Sequence, residues 1–369
     1  MRVALVHDYL NQRGGAERVF KILCELFPDA PIYTLVYDKE KFGRDMSERT
    51  IHTSWLDHPF VARHHHWFIP ATPFAAQMLR VKDDVDFVIS DSAGYGKGID
   101  IPRGIKHFSY CYTPLRYAWE SDLIYGRLVS GGVPAPIAAL ATAASYPIQR
   151  HLRAWDVHAG QKPDRIVAIS KFIAKKIKAC YGRDASVLYP PVDTEFFRHD
   201  PNIKKENYYL AVGRLLYYKR FDIAIDAFNA LGAKLKIVGS DGRYEHELKR
   251  RAKNNIEFCG QVDDAELVRL YQGARGLIFP QVEDLGLVTV EAIACGTPVV
   301  AYGAGGAKEI VEDGKNGVLF YEQSVDDIIA AIHEAESITW DYARIAAGAA
   351  RFGVDRFKKE FCAIVAGMI

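Results

Sequence analysis

Residues 277–301 read LIFPQVEDLGLVTVEAIACGTPVVA, and this stretch carries the pattern from which we infer the fold. An apolar run ends at Phe279, a polar loop follows, and Gly286 opens a helical pattern that leads into a second apolar run. Strand, helix and strand in this order are typical of a right-handed βαβ unit in a parallel sheet. The stretch therefore predicts an α/β fold.

The same alternation fills most of the chain in two series. The first series of strand-like runs comprises Val3–Val6, Ile32–Val36, Phe87–Ile89, His107–Tyr112 and Ile166–Ile169. The second comprises Tyr209–Val212, Leu235–Val238, Ile256–Phe258, Leu277–Phe279, Pro298–Ala301 and Val318–Phe320. A polar, charged stretch at 193–205 separates them. We predict two facing, doubly wound Rossmann-like domains at 1–195 and 196–349, with a ligand cleft between them. A C-terminal helix at about 350–369 is expected to pack on one of them, with the first domain as the candidate.

Length, net charge and cysteine spacing exclude several classes of protein. A length of 369 residues fits two domains of roughly 100–200 residues each. The balance of 47 Lys+Arg against 46 Asp+Glu argues against a nucleic-acid-binding protein, which usually has a strongly basic surface. The six cysteines are dispersed without CxxC spacing, which indicates a reducing compartment and no zinc site. The N-terminus lacks the apolar core of a signal peptide, so we expect a cytoplasmic location.

Residues 128–149 contain no charged side chain, which raises the question of a membrane span. The stretch is rich in Ala, Gly and Ser and is interrupted by Pro134, Pro136 and Pro147. Its weak hydrophobicity and poor helix continuity favour a buried helix or a flexible segment lining the cleft.

Two carboxylates lie close to the start of the helix that Gly286 opens, one before it and one inside it. The first-turn N–H groups of such a helix, with its positive dipole end, form an anion site suited to a diphosphate. Glu283 lies just before this site and Glu291 about a turn and a half inside the helix, where each could bind sugar hydroxyls. The alternative is that Glu291 is a structural acid and Glu283 a solvated loop acid.

Further candidates follow other strands. Arg214 and Lys219 follow the first strand of the second series and are apt for phosphates, with a solvated rim as the alternative. Gly14 and Gly15 follow the first strand of the chain, and glycines there let backbone amides approach an anion. Their alternative is a simple βα turn, because the sequence is not GxGxxG.

The second half of the chain resembles the family-4 retaining glycosyltransferases of the GT-B fold. The resemblance covers essentially the whole chain, because the first half is similar to the same family. The matching stretches are Gly14–Glu17, Ser170-Lys171, Pro190–Asp193, Gly213-Arg214, Lys219, Gly260–Val262, Glu283–Glu291 and Ala294–Val299. The stretch Tyr110–Glu120 is similar to a subgroup of bacterial surface-polysaccharide mannosyltransferases.

The resemblance implies a role for each matching residue. It makes the first domain the acceptor side and the second the nucleotide-sugar donor side, without a metal or other cofactor. Arg214 and Lys219 would bind the donor diphosphate, and the backbone amides of the loop formed by Leu285, Gly286 and Leu287 would bind the same group. Glu283 would bind the donor sugar, Glu291 the ribose, and the backbone at Val262 the base. Gly14 and Gly15 would line the site near the reacting carbon.

One residue departs from the family pattern. Similar sequences carry a histidine that contacts the donor sugar at the position where this chain has Tyr112. A tyrosine still donates a hydrogen bond, but its reach and acidity differ, which puts sugar preference or rate in question. His107 lies an odd number of residues away, so on a regular strand it faces the opposite side and does not replace that histidine.

Aromatic and basic residues alternate between Ser54 and Gln77, in SWLDHPFVARHHHWFIPATPFAAQ. This composition suits a membrane interface or a lipid-linked acceptor, and ordinary packing with a solvated rim is the alternative. The acceptor-side candidates are Trp55, Trp67, Phe68 and Arg116. A mononuclear metal site at His64–His66 is not favoured, because adjacent residues do not share one face.

The resemblance therefore implies a retaining glycosyltransferase, with mannose from GDP-mannose as the expected donor and a lipid-linked oligosaccharide as the expected acceptor. The expected location is cytoplasmic, with peripheral contact at the inner face of the cell membrane. Three alternatives stay open: a UDP-hexose donor, a non-enzymatic nucleotide-sugar-binding protein, and a nicotinamide-dependent oxidoreductase, which lacks its fingerprint here.

Overall fold

The computed structural model describes residues 2–12, 14–43, 46, 48–240 and 242–368. The chain divides into two compact units. The first comprises Met1–Ser121, Ala143–Pro190 and Phe357–Ile369, and the second Asp122–Thr142 and Pro191–Arg356. Residues 122–142 thus group with the second unit, although they lie inside the segment predicted for the first.

The first unit contains a seven-stranded parallel sheet. Its strands are β1 (Val3–Leu10), β2 (Ile32–Tyr37), β3 (Ile51–Thr53), β4 (Phe87–Ser92), β5 (Lys106–Cys111), β6 (Arg165–Ala168) and β7 (Ser186–Val187). They lie in the order β3-β2-β1-β4-β5-β6-β7, so the chain order reverses between β1 and β4. β1 is buried along nearly its whole length because a central parallel strand has helices on both faces.

The second unit contains a six-stranded parallel sheet. Its strands are β8 (Tyr209–Val212), β9 (Leu235–Val238), β10 (Ile256–Gly260), β11 (Leu277–Phe279), β12 (Val299–Tyr302) and β13 (Gly317–Phe320). Their order is β10-β9-β8-β11-β12-β13, with the reversal between β8 and β11. The prediction of two parallel-sheet, Rossmann-like domains is confirmed, and short β3 and β7 are the strands that the apolar runs missed.

Helices connect the strands throughout. In chain order they are α1 (Gly15–Leu26), α2 (Lys39–Phe42), α3 (Pro59–His64), α4 (Thr72–Met78), α5 (Arg116–Trp119), α6 (Ser121–Ser130), α7 (Ala135–Ala144), α8 (Tyr146–Gln161), α9 (Lys171–Tyr181), α10 (Phe221–Leu231), α11 (Gly242–Arg251), α12 (Asp264–Gly273), α13 (Leu287–Ala294), α14 (Ala307–Ile310), α15 (Val325–Ser337), α16 (Tyr342–Ala347) and α17 (Val354–Ala366). Buried residues recur at helical spacing, as in α10, where Phe221, Ile225 and Phe228 pack into the core of the second unit.

The uncharged stretch at 128–149 differs from the expectation of a buried helix or a flexible segment. It forms the end of α6, all of α7 and the start of α8. On α7 Ala138 is buried, whereas Ile137 and Leu140 are 58% and 73% exposed. The helix therefore presents apolar side chains outward. Within the described part of the chain, each helix is too short or too polar to cross a membrane.

The end of α17 packs into the core of the first unit. The Phe361 ring lies 5.3 Å from that of Phe108, 6.3 Å from that of Tyr110 and 6.5 Å from that of Phe27, centroid to centroid. Phe361 is fully buried. An aromatic side chain in this setting contributes a large share of the local burial energy.

We expect Phe361→Ala to lower the free energy of unfolding by about 3–5 kcal/mol, because it leaves a cavity among three aromatic rings. Phe196→Ala is the matched control, since Phe196 is 43% exposed. Chemical denaturation measures both. Equal losses in the two variants would contradict the anchoring role of α17.

Candidate functional site

The predicted donor residues lie after neighbouring strands of the second sheet. β8 and β11 are adjacent, and the chain order reverses between them. In open parallel sheets, ligands bind outside the carboxyl ends of the strands at such a switch point. The loops that follow these two strands carry Arg214, Lys219, Glu283, Leu285, Gly286 and Leu287.

Lys219 and Glu283, far apart in the sequence, meet in an ion pair between the ammonium and the carboxylate. Both side chains are largely buried, at 13% and 17% exposure. Glu283 is therefore not a solvated loop acid. Lys219 ends the 3-10 turn Tyr217–Lys219, and α10 begins two residues later.

Arg214 and Val262 are more open to solvent. Arg214 is exposed, and no carboxylate among the described residues lies within ion-pair distance of its guanidinium. This exposure fits both a phosphate ligand and the solvated rim that the sequence left open. Val262 is partly exposed on the loop after β10, directly before Asp263, which caps α12.

The helix α13 begins where the predicted anion site requires. Gly286 adopts φ 92°, a left-handed conformation that favours glycine, and a Cβ there would lie 2.9 Å from the Phe279 ring. Leu285 is buried and Leu287 is partly exposed. The first N–H groups of a helix have no acceptor within it, so the start of α13 presents donors at the same sheet edge as Lys219.

Glu291 lies inside α13 and is almost fully buried. The Tyr271 hydroxyl, from α12, donates a hydrogen bond to its Oε2 at 3.0 Å. A buried carboxylate needs such a donor. The contact accords with the structural alternative for Glu291 and leaves the ribose role as a prediction. Sequence reasoning missed Tyr271, because its helical pattern carries no sign of a distant carboxylate.

The loop that carries Glu283 is fixed by residues that sequence reasoning also missed. Gly306 N donates to Glu283 O at 2.9 Å, and a Cβ on Gly306 would lie 2.3 Å from Leu285 Cα. Gln323 Nε2 donates to Pro280 O at 2.7 Å. The Gly305-Gly306 pair after β12 was the available signal, since adjacent glycines often mark a close backbone approach.

In the first unit, the glycine loop and Tyr112 lie together. Gly14 caps α1, and its N–H donates to Glu17 Oε2 at 2.9 Å. The Tyr112 hydroxyl donates to Ala16 O at 3.3 Å. Burial raises the pKa of Tyr112 well above its usual value, with the nearby Asp91 carboxylate as a further cause. Tyr112 therefore contacts the first turn of α1.

His107 is buried on β5, and its Nε2 lies 2.8 Å from Ser90 Oγ. Burial lowers the pKa of His107 to about 3, so the ring is neutral. Its contacts belong to the sheet core.

The aromatic segment of the first unit is strongly exposed. Trp67 is 64% exposed and packs on Phe60 and His64, with ring centroids 6.0 Å and 4.9 Å away. Phe68, partly buried, also contacts Phe60. Trp55 is exposed and contacts Phe74. We call Trp55, Phe60, Trp67, Phe68 and Phe74 the aromatic surface.

Two other predictions concern Arg116 and the three histidines at 64–66. The guanidinium of Arg116, on α5, pairs with Glu120 directly after that helix, 3.7 Å away. The side chains of His65 and His66 lie outside the described residues, so the expectation that His64–His66 form no mononuclear metal site stays a prediction.

Comparison with known proteins places the second unit in context. Residues 193–351 match the sequence family described as glycosyl transferases group 1. An uncharacterized glycosyltransferase of Methanocaldococcus jannaschii is 31% identical over 181 residues, 48% of this chain and 51% of the relative. The GDP-mannose-dependent alpha-(1-6)-phosphatidylinositol monomannoside mannosyltransferase of Mycobacterium tuberculosis is 32% identical over 205 residues, 47% and 53% of the two chains. The chain thus spans about half the length of the curated relatives it matches.

The fold extends the likeness to the whole chain. Anabaena Alr3699/HepE, a crystal structure in complex with UDP, is similar over 100% of both chains, with a TM-score of 0.68 and 18% sequence identity. Similarity at this level concerns the fold, and it confirms the GT-B prediction.

We expect Tyr271→Phe to lower the free energy of unfolding by about 1–3 kcal/mol, because it leaves Glu291 Oε2 buried without this donor. Tyr208→Phe is the matched control: its hydroxyl donates to the backbone carbonyl of Leu270 at 2.9 Å. The Tyr271 variant should lose more stability in chemical denaturation. A larger loss in the control would show that the Glu291 contact is unimportant.

Proposed function

We propose that the protein is a retaining glycosyltransferase of family 4 that transfers mannose from GDP-mannose to a lipid-linked oligosaccharide in polysaccharide assembly. The observation that carries the proposal is the pairing of Lys219 with Glu283 beside the start of α13. A cation, a sugar-binding acid and helix N–H groups at one switch point are the groups that a nucleotide sugar requires. They lie within the region that matches glycosyl transferases group 1.

In the proposed reaction, substitution occurs on one face of the sugar. The acceptor oxygen forms a bond to the anomeric carbon while the bond from that carbon to the diphosphate breaks. The acceptor proton passes to a diphosphate oxygen, and the nucleoside diphosphate leaves. Arg214, Lys219 and the N–H groups at the start of α13 stabilise the growing negative charge. Glu283 orients the sugar and forms no covalent bond to it.

Support for the donor comes from a relative. The Mycobacterium tuberculosis mannosyltransferase named above is GDP-mannose-dependent, and its similarity covers 205 residues. Base recognition through backbone groups near Val262 leaves little trace in side chains, so UDP-hexose remains the alternative donor. Selective thermal stabilisation by GDP and GDP-mannose, compared with UDP, ADP and their sugars, would favour the proposed donor.

The acceptor proposal rests on the first unit. The aromatic surface offers amphipathic rings of the kind that lie at lipid headgroup level. Exposed apolar side chains on α7 of the second unit are a further candidate for lipid contact. We therefore propose peripheral binding at the cytoplasmic face of the cell membrane.

We expect Lys219→Ala and Glu283→Gln each to lower the transfer rate by about 100-fold or more, because each removes a group that binds diphosphate or sugar. Transfer of radiolabelled mannose to a lipid extract measures the rate. Lys315→Ala is the matched control, since it removes one partner of an exposed ion pair with Glu312 in the same unit. Near wild-type rates in both site variants would overturn the assignment.

A non-enzymatic nucleotide-sugar-binding protein is the second candidate, favoured by Tyr112 at the position of the family histidine. Isothermal titration with GDP-mannose, combined with an assay of donor hydrolysis, distinguishes the two functions. Binding without turnover in every acceptor mixture would favour the binding protein.

We expect Trp67→Ser to lower binding to vesicles of anionic phospholipid several-fold, since an exposed aromatic ring contributes to interfacial binding. Tyr321→Ser is the matched control, because Tyr321 is similarly exposed in the second unit. Co-sedimentation with the vesicles measures both. Equal binding of the two variants would argue against the aromatic surface as a membrane contact.

A further inference from the structure

The first unit contains a buried cluster of ionisable groups that the proposed reaction does not use. His7 lies on β1, directly opposite Asp91 of β4 in the sheet register. Its Nδ1 is 2.9 Å from Asp91 Oδ2, and its Nε2 is 3.8 Å from Glu17 Oε1 of α1. All three side chains are at least nine-tenths buried. The Phe20 ring stacks on the imidazole at 4.6 Å.

The surroundings of His7 favour its charged form. A carboxylate faces each ring nitrogen, and an ionised carboxylate can only accept hydrogen bonds. A neutral imidazole has one nitrogen without a proton, so its lone pair would face a carboxylate. When both carboxyl groups are ionised, the doubly protonated ring presents an N–H to each of them. Burial opposes the charge, but the Asp91 carboxylate at hydrogen-bond distance and the nearby Glu17 carboxylate outweigh it and raise the pKa of His7 to about 10.

One carboxylate connects this cation to the glycine loop. Glu17 faces His7 with Oε1 and accepts the Gly14 N–H with Oε2 at 2.9 Å. Asp91, the second carboxylate of the cluster, is connected to the same loop through Tyr112. The Asp91 carboxylate acts on the pKa of Tyr112, whose hydroxyl donates to Ala16 O. The first turn of α1 is thus held from β1 and from the end of β5.

We infer that His7 is a positioning residue, a buried imidazolium that fixes the Gly14-Gly15 loop through Glu17. The inference rests on the proposed function, in which this loop contacts the transferred sugar. It also explains how Tyr112 is accommodated: its hydroxyl supports the loop instead of replacing the donor-sugar contact of the family histidine.

The groups that face His7 define its pH dependence. Asp91 faces it from β4 and Glu17 from α1, Tyr112 adjoins Asp91 at the end of β5, and β2 places the uncharged Thr34 opposite it. Because the folded pKa lies above the usual value near 6.5, the stabilisation is complete below about pH 6.5. It is lost as the pH rises towards 10.

Nitrogen-15 NMR of the histidine rings in the wild-type protein is the first test. We expect His7 to keep the imidazolium shifts from pH 6 to pH 9, whereas His107 shows a neutral ring throughout. A His7 ring that loses its proton near the usual histidine pKa would overturn the inference. This measurement needs no variant and no substrate.

His7→Gln is the second test, with His107→Gln as the matched control of equal burial. We expect the His7 variant to exchange the amides of residues 14–18 faster and to lower the transfer rate by up to about 100-fold, with an unchanged Kd for GDP-mannose. Its stability deficit should shrink between pH 6.5 and pH 10. The control should lose stability without these changes. Unchanged amide exchange in His7→Gln would overturn the inference, whereas absence of transfer in the wild type would overturn only the proposed function.

Discussion

The parallel pairing of β8 with β11 is the constraint on which the candidate site depends. Because the two strands run in the same direction, their carboxyl ends meet at one edge of the sheet. The loop after β8 therefore brings Lys219 to the loop after β11, which carries Glu283. Burying an ammonium or a carboxylate without a partner costs free energy, because the charge loses its hydration. The ion pair between the two groups offsets this cost. The start of α13 adds N–H donors at the same edge.

Residues outside the predicted site hold the backbone of the loop that carries Glu283. Gly306 approaches the loop so closely that a side chain would collide with Leu285, and it donates to Glu283 O. Gln323 donates to Pro280 O on the other side. A carboxylate can orient a ligand only if its own backbone is fixed. These residues support the site although none of them resembles a catalytic group.

The two units share a parallel-sheet architecture but differ in where their ionisable groups lie. In the second unit, Lys219 and Glu283 at the switch point keep 13% and 17% of their side chains exposed. In the first unit, the ionisable groups His7 of β1, Asp91 of β4 and Glu17 of α1 are buried together. A buried cluster of this kind fixes backbone geometry, because any displacement leaves a charge without its partner.

The sequence by itself determined the parallel α/β architecture, since apolar runs of strand length alternate with helical patterns, and all six strands of the second sheet were expected close to their observed positions. Local chemistry also placed Glu283, Lys219 and Gly286 at strand ends. Only the tertiary structure decided which charges meet. The Lys219–Glu283 pair, the Tyr271–Glu291 hydrogen bond and the His7 cluster each join elements distant in the chain. The tertiary structure also leaves apolar side chains of α7 exposed to solvent. Periodicity records which face of an element is apolar, whereas the partner of a polar group depends on strand order and register, which no single segment contains.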